Sequence, residues 1–284
     1  MNIQKNKLQT FATLVFLGFF IWWISFQHVV IKLGLSVQWY GSTYAFLALM
    51  GAIVGFVAAR KWGGFKTILG KALMFFSFGL LAQAAGQLIG DYYVVWAHQS
   101  TIPYPSWDDV AYFGSILFYI AAAFMLSLAA GIKFSLKHIS YKLIAILIPV
   151  ILVSVSYAVI LHNHQYNFHK PLTVFLDAGY PIGQALYISI AVVAYLLSRK
   201  LMGGVMKKGI LLVIIALCVQ YLSDFTFLYQ SNRGTYVPGK YDDLLYLIAY
   251  FAMTTAMIKF LSIYKRLRPS KPVAPSKDAQ TEAL

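Results

Sequence analysis

Paired aspartates occur twice in this sequence, although only nine of its 284 residues are acidic. The first pair lies in YPSWDDVAYF (104–113) and the second in KYDDLLYL (240–247). Adjacent carboxylates can hold a cation or divide the roles of acid and base. They can also begin a helix, because negative charge in a first turn complements the helix dipole. The other polar residues around the pairs are needed to choose between these roles.

Each aspartate pair belongs to a longer pattern that appears twice. A glutamine and an aspartate four residues apart are followed by a loop with proline, then an aromatic residue, two aspartates and a tyrosine. Such a repeat, built on uncommon polar residues, predicts two similarly oriented halves of four helices each. The corresponding positions, at offsets of 133 or 134, are Gln87 and Gln220, Asp91 and Asp224, Asp109 and Asp243, and Tyr112 and Tyr246.

Four of the aspartates have a tyrosine three residues away in the sequence. Because residues three apart share a helix face, each tyrosine is expected one turn deeper on the face of its aspartate. Gln184 extends the stripe that begins at Asp177 by two turns. The resulting candidate ligand-binding residues are Asp177, Asp224, Tyr180, Tyr221, Gln184, Gln220, Asp91, Gln87, Asp109, Tyr112, Asp243 and Tyr246.

The elements that position these residues are apolar segments long enough to cross a membrane. Hydrophobic residues make up 60% of the chain and charged residues 11%. We therefore predict an all-α, polytopic membrane helical bundle over residues 1–264, followed by a disordered cytoplasmic tail over 265–284. The eight predicted transmembrane helices lie at about 9–31, 40–59, 68–90, 108–131, 142–162, 172–197, 209–230 and 242–264.

The net charge of +14 is distributed unevenly between the two sides of this predicted bundle. Lysines and arginines concentrate on one side, whereas Lys32, Lys170, Arg233 and Lys240 fall on the other. Such asymmetry is the positive-inside rule, and it predicts a multi-pass protein of the cell membrane with both termini in the cytoplasm. The basic excess thus reflects topology and a lipid bilayer partner, and nothing in it indicates nucleic acid.

The paired aspartates and the isolated ones have different explanations. Ser106 followed by Asp109 resembles a capping box, which favours a structural role for both pairs. Asp177 and Asp224 are predicted about 8–9 Å inside the membrane boundary, too deep for a cap, where an ionisable group requires a partner. We expect these two to share one outward-facing pocket with Tyr180, Gln184, Tyr221 and Gln220. The alternative is a set of structural hydrogen bonds to neighbouring tyrosines and glutamines.

Several motifs resemble a known membrane module. They are YPSWDDVAYFGSILFY (104–119), LDAGYPIGQALY (176–187) and YVPGKYDDLLYLIAYF (236–251). Together they resemble the multi-helix N-terminal sensor regions of bacterial diguanylate cyclases (GGDEF proteins) and histidine kinases. The resemblance implies a signal-input role. Only twenty residues follow Tyr264, without a GGDEF-type loop or a kinase histidine motif, so the output is expected from a separate cytoplasmic protein.

Three classes of function fit these features to different degrees. A sensor or ligand-binding module for a small molecule or cation is favoured, because the polar residues concentrate in one half of the predicted membrane thickness. A small-solute or ion transporter is the alternative, although the inner halves of the helices carry hardly any ionisable groups. An enzyme is least favoured, since the chain has no H-E-x-x-H, no G-x-S-x-G and no phosphate-binding glycine loop. No cofactor can be assigned.

Overall fold

A computed structural model describes residues 6–25, 27, 37–99, 102–131, 137, 139–162, 166–198 and 206–267. Eight helices in these ranges are long and apolar enough to cross a membrane. The eight predicted spans are therefore confirmed. The helices are α1 (Lys7–Ser25), α2 (Val37–Lys61), α3 (Ile68–Asp91), α4 (Trp107–Ala129), α5 (Ile139–Ser156), α6 (Pro171–Ser198), α7 (Met206–Asn232) and α8 (Tyr241–Leu267).

Two helices continue as π-helical segments, and the last helix is longer than predicted. The π-helical segments Tyr92–Trp96 and Tyr157–Leu161 extend α3 and α5. Helix α8 ends at Leu267, three residues later than predicted, so 265–267 are helical. The rest of the predicted tail, 268–284, and the predicted end of the first span, 28–31, lie outside the described residues.

Six of the helices pack in a closed ring. Its order is α2, α3, α4, α6, α7 and α8, with α8 packing back on α2. Helix α1 lies outside the ring against α8 and α2, and α5 lies outside it against α6. If α2, α3 and α4 are exchanged with α6, α7 and α8, the helices follow one another around the ring in the same order. The packing therefore agrees with the predicted repeat of two four-helix halves.

Small residues allow the ring helices to approach closely. A Cβ atom added at Gly51 of α2 would lie 2.5 Å from Thr254 Oγ1 of α8. One added at Gly55 would overlap Ser77 Oγ of α3. Both contacts are too close for a real side chain, so glycine permits α2 to fit between α3 and α8.

The two ends of the bundle differ in charge. We call the end where α3 and α7 finish and α4, α6 and α8 begin the acidic end, and the opposite end the basic end. Every aspartate in the described ranges lies at or near the acidic end. The basic residues of the basic end include Arg60, Lys61, Lys71, Lys142, Lys207, Lys208, Lys265 and Arg266.

Candidate functional site

The first aspartate pair begins α4. The Ser106 backbone N–H donates to Asp109 Oδ2 at 2.8 Å, and the Asp109 N–H donates to Asp108 Oδ1 at 2.9 Å. The Ser106 hydroxyl also bonds to Asp108 Oδ1. First-turn N–H groups have no partner within their helix, so side-chain oxygens bind them. The predicted capping role of this pair is confirmed.

The second pair begins α8 in a similar way. The Gly239 N–H donates to Asp243 Oδ2 at 2.5 Å, which closes the loop onto the first turn. Asp242 is completely buried and lies beside Thr226 and Gln230 of α7. Capping is thus confirmed for Asp243. In both pairs the second aspartate uses one carboxylate oxygen for the backbone of its own half.

The other oxygen of each capping aspartate bonds to the opposite half of the molecule. Tyr180 of α6 donates its hydroxyl to Asp109 Oδ1 at 2.8 Å. Tyr44 of α2 donates its hydroxyl to Asp243 Oδ1 at 3.2 Å. We call these two hydrogen bonds the clasps. Each joins one four-helix half to the other, and exchanging the halves turns one clasp into the other.

Asp224 of α7 is a buried carboxylate that accepts hydrogen bonds from three side chains. It is 6% exposed and accepts three hydrogen bonds, from Tyr246 at 3.0 Å, Gln220 at 2.9 Å and Tyr187 at 3.2 Å. All three donors are neutral. Burying a carboxylate is costly unless its oxygens are hydrogen-bonded, and these three donors satisfy both oxygens of Asp224.

Two glutamines of α3 extend the polar contacts inward. Gln87 Oε1 accepts from Tyr112 of α4 at 3.3 Å and from the clasp residue Tyr44 at 3.4 Å. Gln83, one turn deeper, donates to Ser115 at 2.8 Å and accepts from Tyr250 of α8 at 3.1 Å. We call the clasps, Asp224 with its donors, and these glutamines with theirs the polar network. It joins α2, α3, α4, α6, α7 and α8.

The tyrosines predicted beside each aspartate bond across helices instead of within them. Tyr180 reaches Asp109, and Tyr246 reaches Asp224. Tyr112 bonds to Gln87, and the Tyr221 hydroxyl lies 3.3 Å from Ser156 Oγ of α5. Spacing along a helix gives the face of each tyrosine, but the long side chain ends at the neighbouring helix. The predicted tyrosines therefore make polar contacts, but with residues of other helices and not with the aspartates of their own helices.

The expected single pocket for Asp177 and Asp224 is not supported by the contacts. Asp177 Oδ1 accepts from Tyr104, in the loop before α4, at 2.7 Å. Tyr187, which reaches Asp224, lies ten residues beyond Asp177 on α6, or about 15 Å along the helix. Of the predicted lining, Gln220 does bond to Asp224, whereas Gln184 is buried inside the ring. Hydrogen bonds join Asp177 to Tyr104, and Asp224 to Gln220, Tyr187 and Tyr246, and the shared pocket stays a prediction.

Sequence reasoning missed four tyrosines of the site, namely Tyr44, Tyr104, Tyr187 and Tyr250. One of them, Tyr44, could have been found from the sequence repeat. Tyr44 and Tyr180 are 136 residues apart, close to the offsets of the recognised repeat. Extending the repeat into α2 and α6 would have paired the two clasp tyrosines.

Three tyrosines outside the spans, Tyr104, Tyr166 and Tyr236, have raised pKa values. Burial raises the pKa of Tyr104, and its hydrogen bond to Asp177 raises it further. Burial also raises the pKa of Tyr236, with Asp243 and Asp242 adding to the effect. Each negative charge nearby disfavours a tyrosinate, so the hydroxyls of Tyr104 and Tyr236 keep their protons.

The site can therefore accept and donate hydrogen bonds and attract positive charge. Within the ranges that the structure describes, no group of three or more histidine, cysteine or acidic side chains could hold a metal ion. Comparison with known protein families, curated proteins and solved structures finds no match to this chain. The resemblance to bacterial sensor regions accordingly stays a prediction, and function has to be argued from the geometry.

Proposed function

We propose that this chain is an integral membrane sensor or ligand-binding module. Its acidic end binds a small molecule or cation, and its two halves transmit that event to a separate cytoplasmic protein. The observation that carries the proposal is the pair of clasps. Each joins the halves through an aspartate that also caps a helix, at 2.8 Å for Tyr180 and 3.2 Å for Tyr44.

A ligand at the acidic end would act on the clasps directly. A cation or hydrogen-bonding group that competes for Asp109 or Asp243 replaces a tyrosine of the opposite half. Because the other oxygen of each carboxylate is held by its own helix start, the change falls on the contact between halves. Such a ligand binds two arrangements of the halves with different affinity, which is what a conformational signal requires.

Helix α8 provides a continuous element from the clasp to the basic end. It has 27 residues, beginning two residues before Asp243, and would extend about 40 Å at the α-helical rise. It packs on α7 and α2, one from each half. A shift at its first turn is therefore transmitted to Lys265 and Arg266, where a cytoplasmic partner would bind.

The interior between the polar network and the basic end favours sensing over transport. Mostly apolar side chains from the ring fill it, with the buried hydroxyls of Ser77, Ser127 and Thr254 among them, and one cavity there has a volume of about 10 Å³. That is about the minimum for one water molecule. Its lining residues are Ala72, Leu73, Phe76, Ala122, Leu126, Val213 and Met257. A transported solute would need a polar route through this layer.

Distance measurements between spin labels test the proposal. A Cys218→Ser background in nanodiscs would carry labels at Lys61 and Lys208, one in each half at the basic end. The matched control pair, Lys61 and Ala129, lies within the first half. Screening cations, amines and pH should find a condition that changes the cross-half distance and leaves the control distance unchanged. Tyr44→Phe combined with Tyr180→Phe should remove this response.

Two results would refute the proposed sensor. One is a cross-half distance that stays constant under every condition although a ligand binds. The other is uptake of the bound ligand into proteoliposomes, which would establish the transporter alternative.

The predicted orientation has its own test. Cysteines placed at Gln99 and Ser231, both exposed at the acidic end, should react with a membrane-impermeant maleimide only from outside the cell. Reaction only from the cytoplasmic side would reverse the orientation and remove the outward-facing ligand site.

A further inference from the structure

A groove runs between α5, α6 and α7 on the outside of the ring. It has a volume of about 330 Å³ and an almost wholly apolar lining. Helix α5 packs along α6, and its π-helical extension packs on α7, so α5 and α7 approach each other most closely toward the acidic end. The groove is lined by Ile148, Ile151, Leu152, Ile188, Val192, Cys218 and Tyr221.

Polar contacts close the groove on the acidic side. The Ser156 hydroxyl of α5 lies 3.3 Å from the Tyr221 hydroxyl of α7. Farther out, Asn232 of α7 donates to the Ile160 carbonyl at 3.2 Å. Among the described residues of α5 and α7, these side-chain hydrogen bonds lie at the acidic side of the groove. A molecule in the groove would therefore enter from the basic end or from the side.

Lysines lie above the open end of the groove on both flanking helices. Lys142 of α5 precedes Ile148 by six residues, about 9 Å along the helix. Lys207 and Lys208 begin α7, and Lys208 is ten residues, about 15 Å, from Cys218. All three are exposed, and the described part of the basic end contains no acidic residue that could neutralise them.

We propose that this groove binds one acyl chain of an anionic phospholipid from the surrounding bilayer, with the phosphate at Lys142, Lys207 and Lys208. An apolar groove at membrane depth is filled by hydrocarbon, since water has no partners there. Basic residues between transmembrane helices at the cytoplasmic face recognise anionic headgroups. The closed end and the lysines on both sides distinguish this site from the general lipid-facing surface.

Lipid retention measures the site directly. The detergent-solubilised full chain would be mixed with phosphatidylglycerol or with phosphatidylcholine of the same acyl chains, and bound lipid counted by native mass spectrometry. One tightly retained phosphatidylglycerol is expected. Replacing each lysine by glutamine should lower its affinity about fivefold, and Val192→Phe, which fills the groove, should abolish retention.

Matched controls separate the groove from general lipid contact. Ile53→Phe adds the same aromatic ring on an exposed face of α2, a helix that does not line the groove, and should leave retention unchanged. Lys265→Gln removes a basic-end charge away from the groove and should also have no effect. Equal retention of the two lipids, or equal loss in the control variants, would overturn the proposal.

The native cysteine gives a second measurement that needs no substitution. Cys218 lines the groove and is the only cysteine in the chain. Phosphatidylglycerol should slow its reaction with a membrane-permeant maleimide at least fivefold, and phosphatidylcholine should not. An unchanged rate would show that no lipid chain occupies the groove, even if Val192→Phe fails to fold.

Discussion

Gln87 and Asp91 at the end of α3 have the same spacing as Gln220 and Asp224 in α7, but the two pairs make different contacts. In the first half, Gln87 accepts hydrogen bonds from two tyrosines, Tyr44 and Tyr112. In the second half, Gln220 donates its amide to Asp224. One copy of the motif thus makes the glutamine a central acceptor, and the other makes the aspartate the acceptor.

The neighbouring helix explains this difference. Tyr187 of α6 supplies one of the three donors to Asp224. At the offset of 136 that relates the clasp tyrosines, the corresponding residue of α2 is Gly51, which packs against Thr254. The first half therefore has a close helix contact where the second half has a hydrogen-bond donor. The repeated motif occupies corresponding positions in the two halves. Its hydrogen bonds differ because the neighbouring helix supplies a donor in one half and none at the corresponding position in the other.

The largest expected effect is a loss of stability on replacing Asp224, which is compared with the loss on replacing Asp91. Asp224→Leu leaves three buried donors without their acceptor and should destabilise the protein by about 3 kcal/mol or more. Asp91→Leu, at a more exposed position, should cost less than half as much. Thermal unfolding in detergent measures both. Equal losses would mean that the two copies of the motif have the same structural weight.

The next largest effect on stability is expected at Gly51, the residue of α2 that corresponds to Tyr187 of α6. Gly51→Ala places a Cβ 2.5 Å from Thr254 Oγ1 and should cost about 2 kcal/mol through overpacking between α2 and α8. Gly18→Ala in α1 is the control, because a Cβ there meets no atom within 4 Å. It should be neutral or slightly stabilising, since alanine favours a helix over glycine. If both variants unfold at the wild-type temperature, the close approach of α2 to α8 is wrong.

The clasps should show a smaller difference between the halves. Tyr44→Phe removes a buried hydroxyl that bonds to Asp243 and Gln87, with an expected cost of about 1.5 kcal/mol. Tyr180→Phe removes a less buried hydroxyl from Asp109 and should cost about 1 kcal/mol. A double-mutant cycle with Asp243→Asn should give coupling for Tyr44 and none for Tyr180. The reverse result would contradict the assignment of the clasps.

Much of the fold could be predicted from the sequence, because membrane spans depend on length and hydrophobicity alone. The helix starts were also predictable, since Asp109 and Asp243 act on their own first turns. The partners across helices were not. Tyr180 bonds to Asp109 and not to Asp177, because helix packing decides which neighbour a long side chain reaches. Periodicity gives the face of a residue and leaves its partner undetermined.

The smallest expected effect concerns the Tyr104–Asp177 bond, which has no counterpart identified in the other half. Tyr104 is 49% exposed, so water competes for the bond, and Tyr104→Phe should cost less than about 1 kcal/mol. Its effect should depend on pH. Burial and Asp177 raise the pKa of Tyr104 in the folded protein above the value of about 10 in an unfolded chain.

The stabilisation from Tyr104 is therefore present below pH 10 and declines above it, because the unfolded chain loses the proton first. The difference in unfolding temperature between wild type and Tyr104→Phe should be smaller at pH 10.5 than at pH 8. Tyr92→Phe, at a tyrosine that is 58% exposed, serves as the control for general alkaline effects. A Tyr104 difference that grows with pH would show that the hydroxyl is not held as a donor to Asp177.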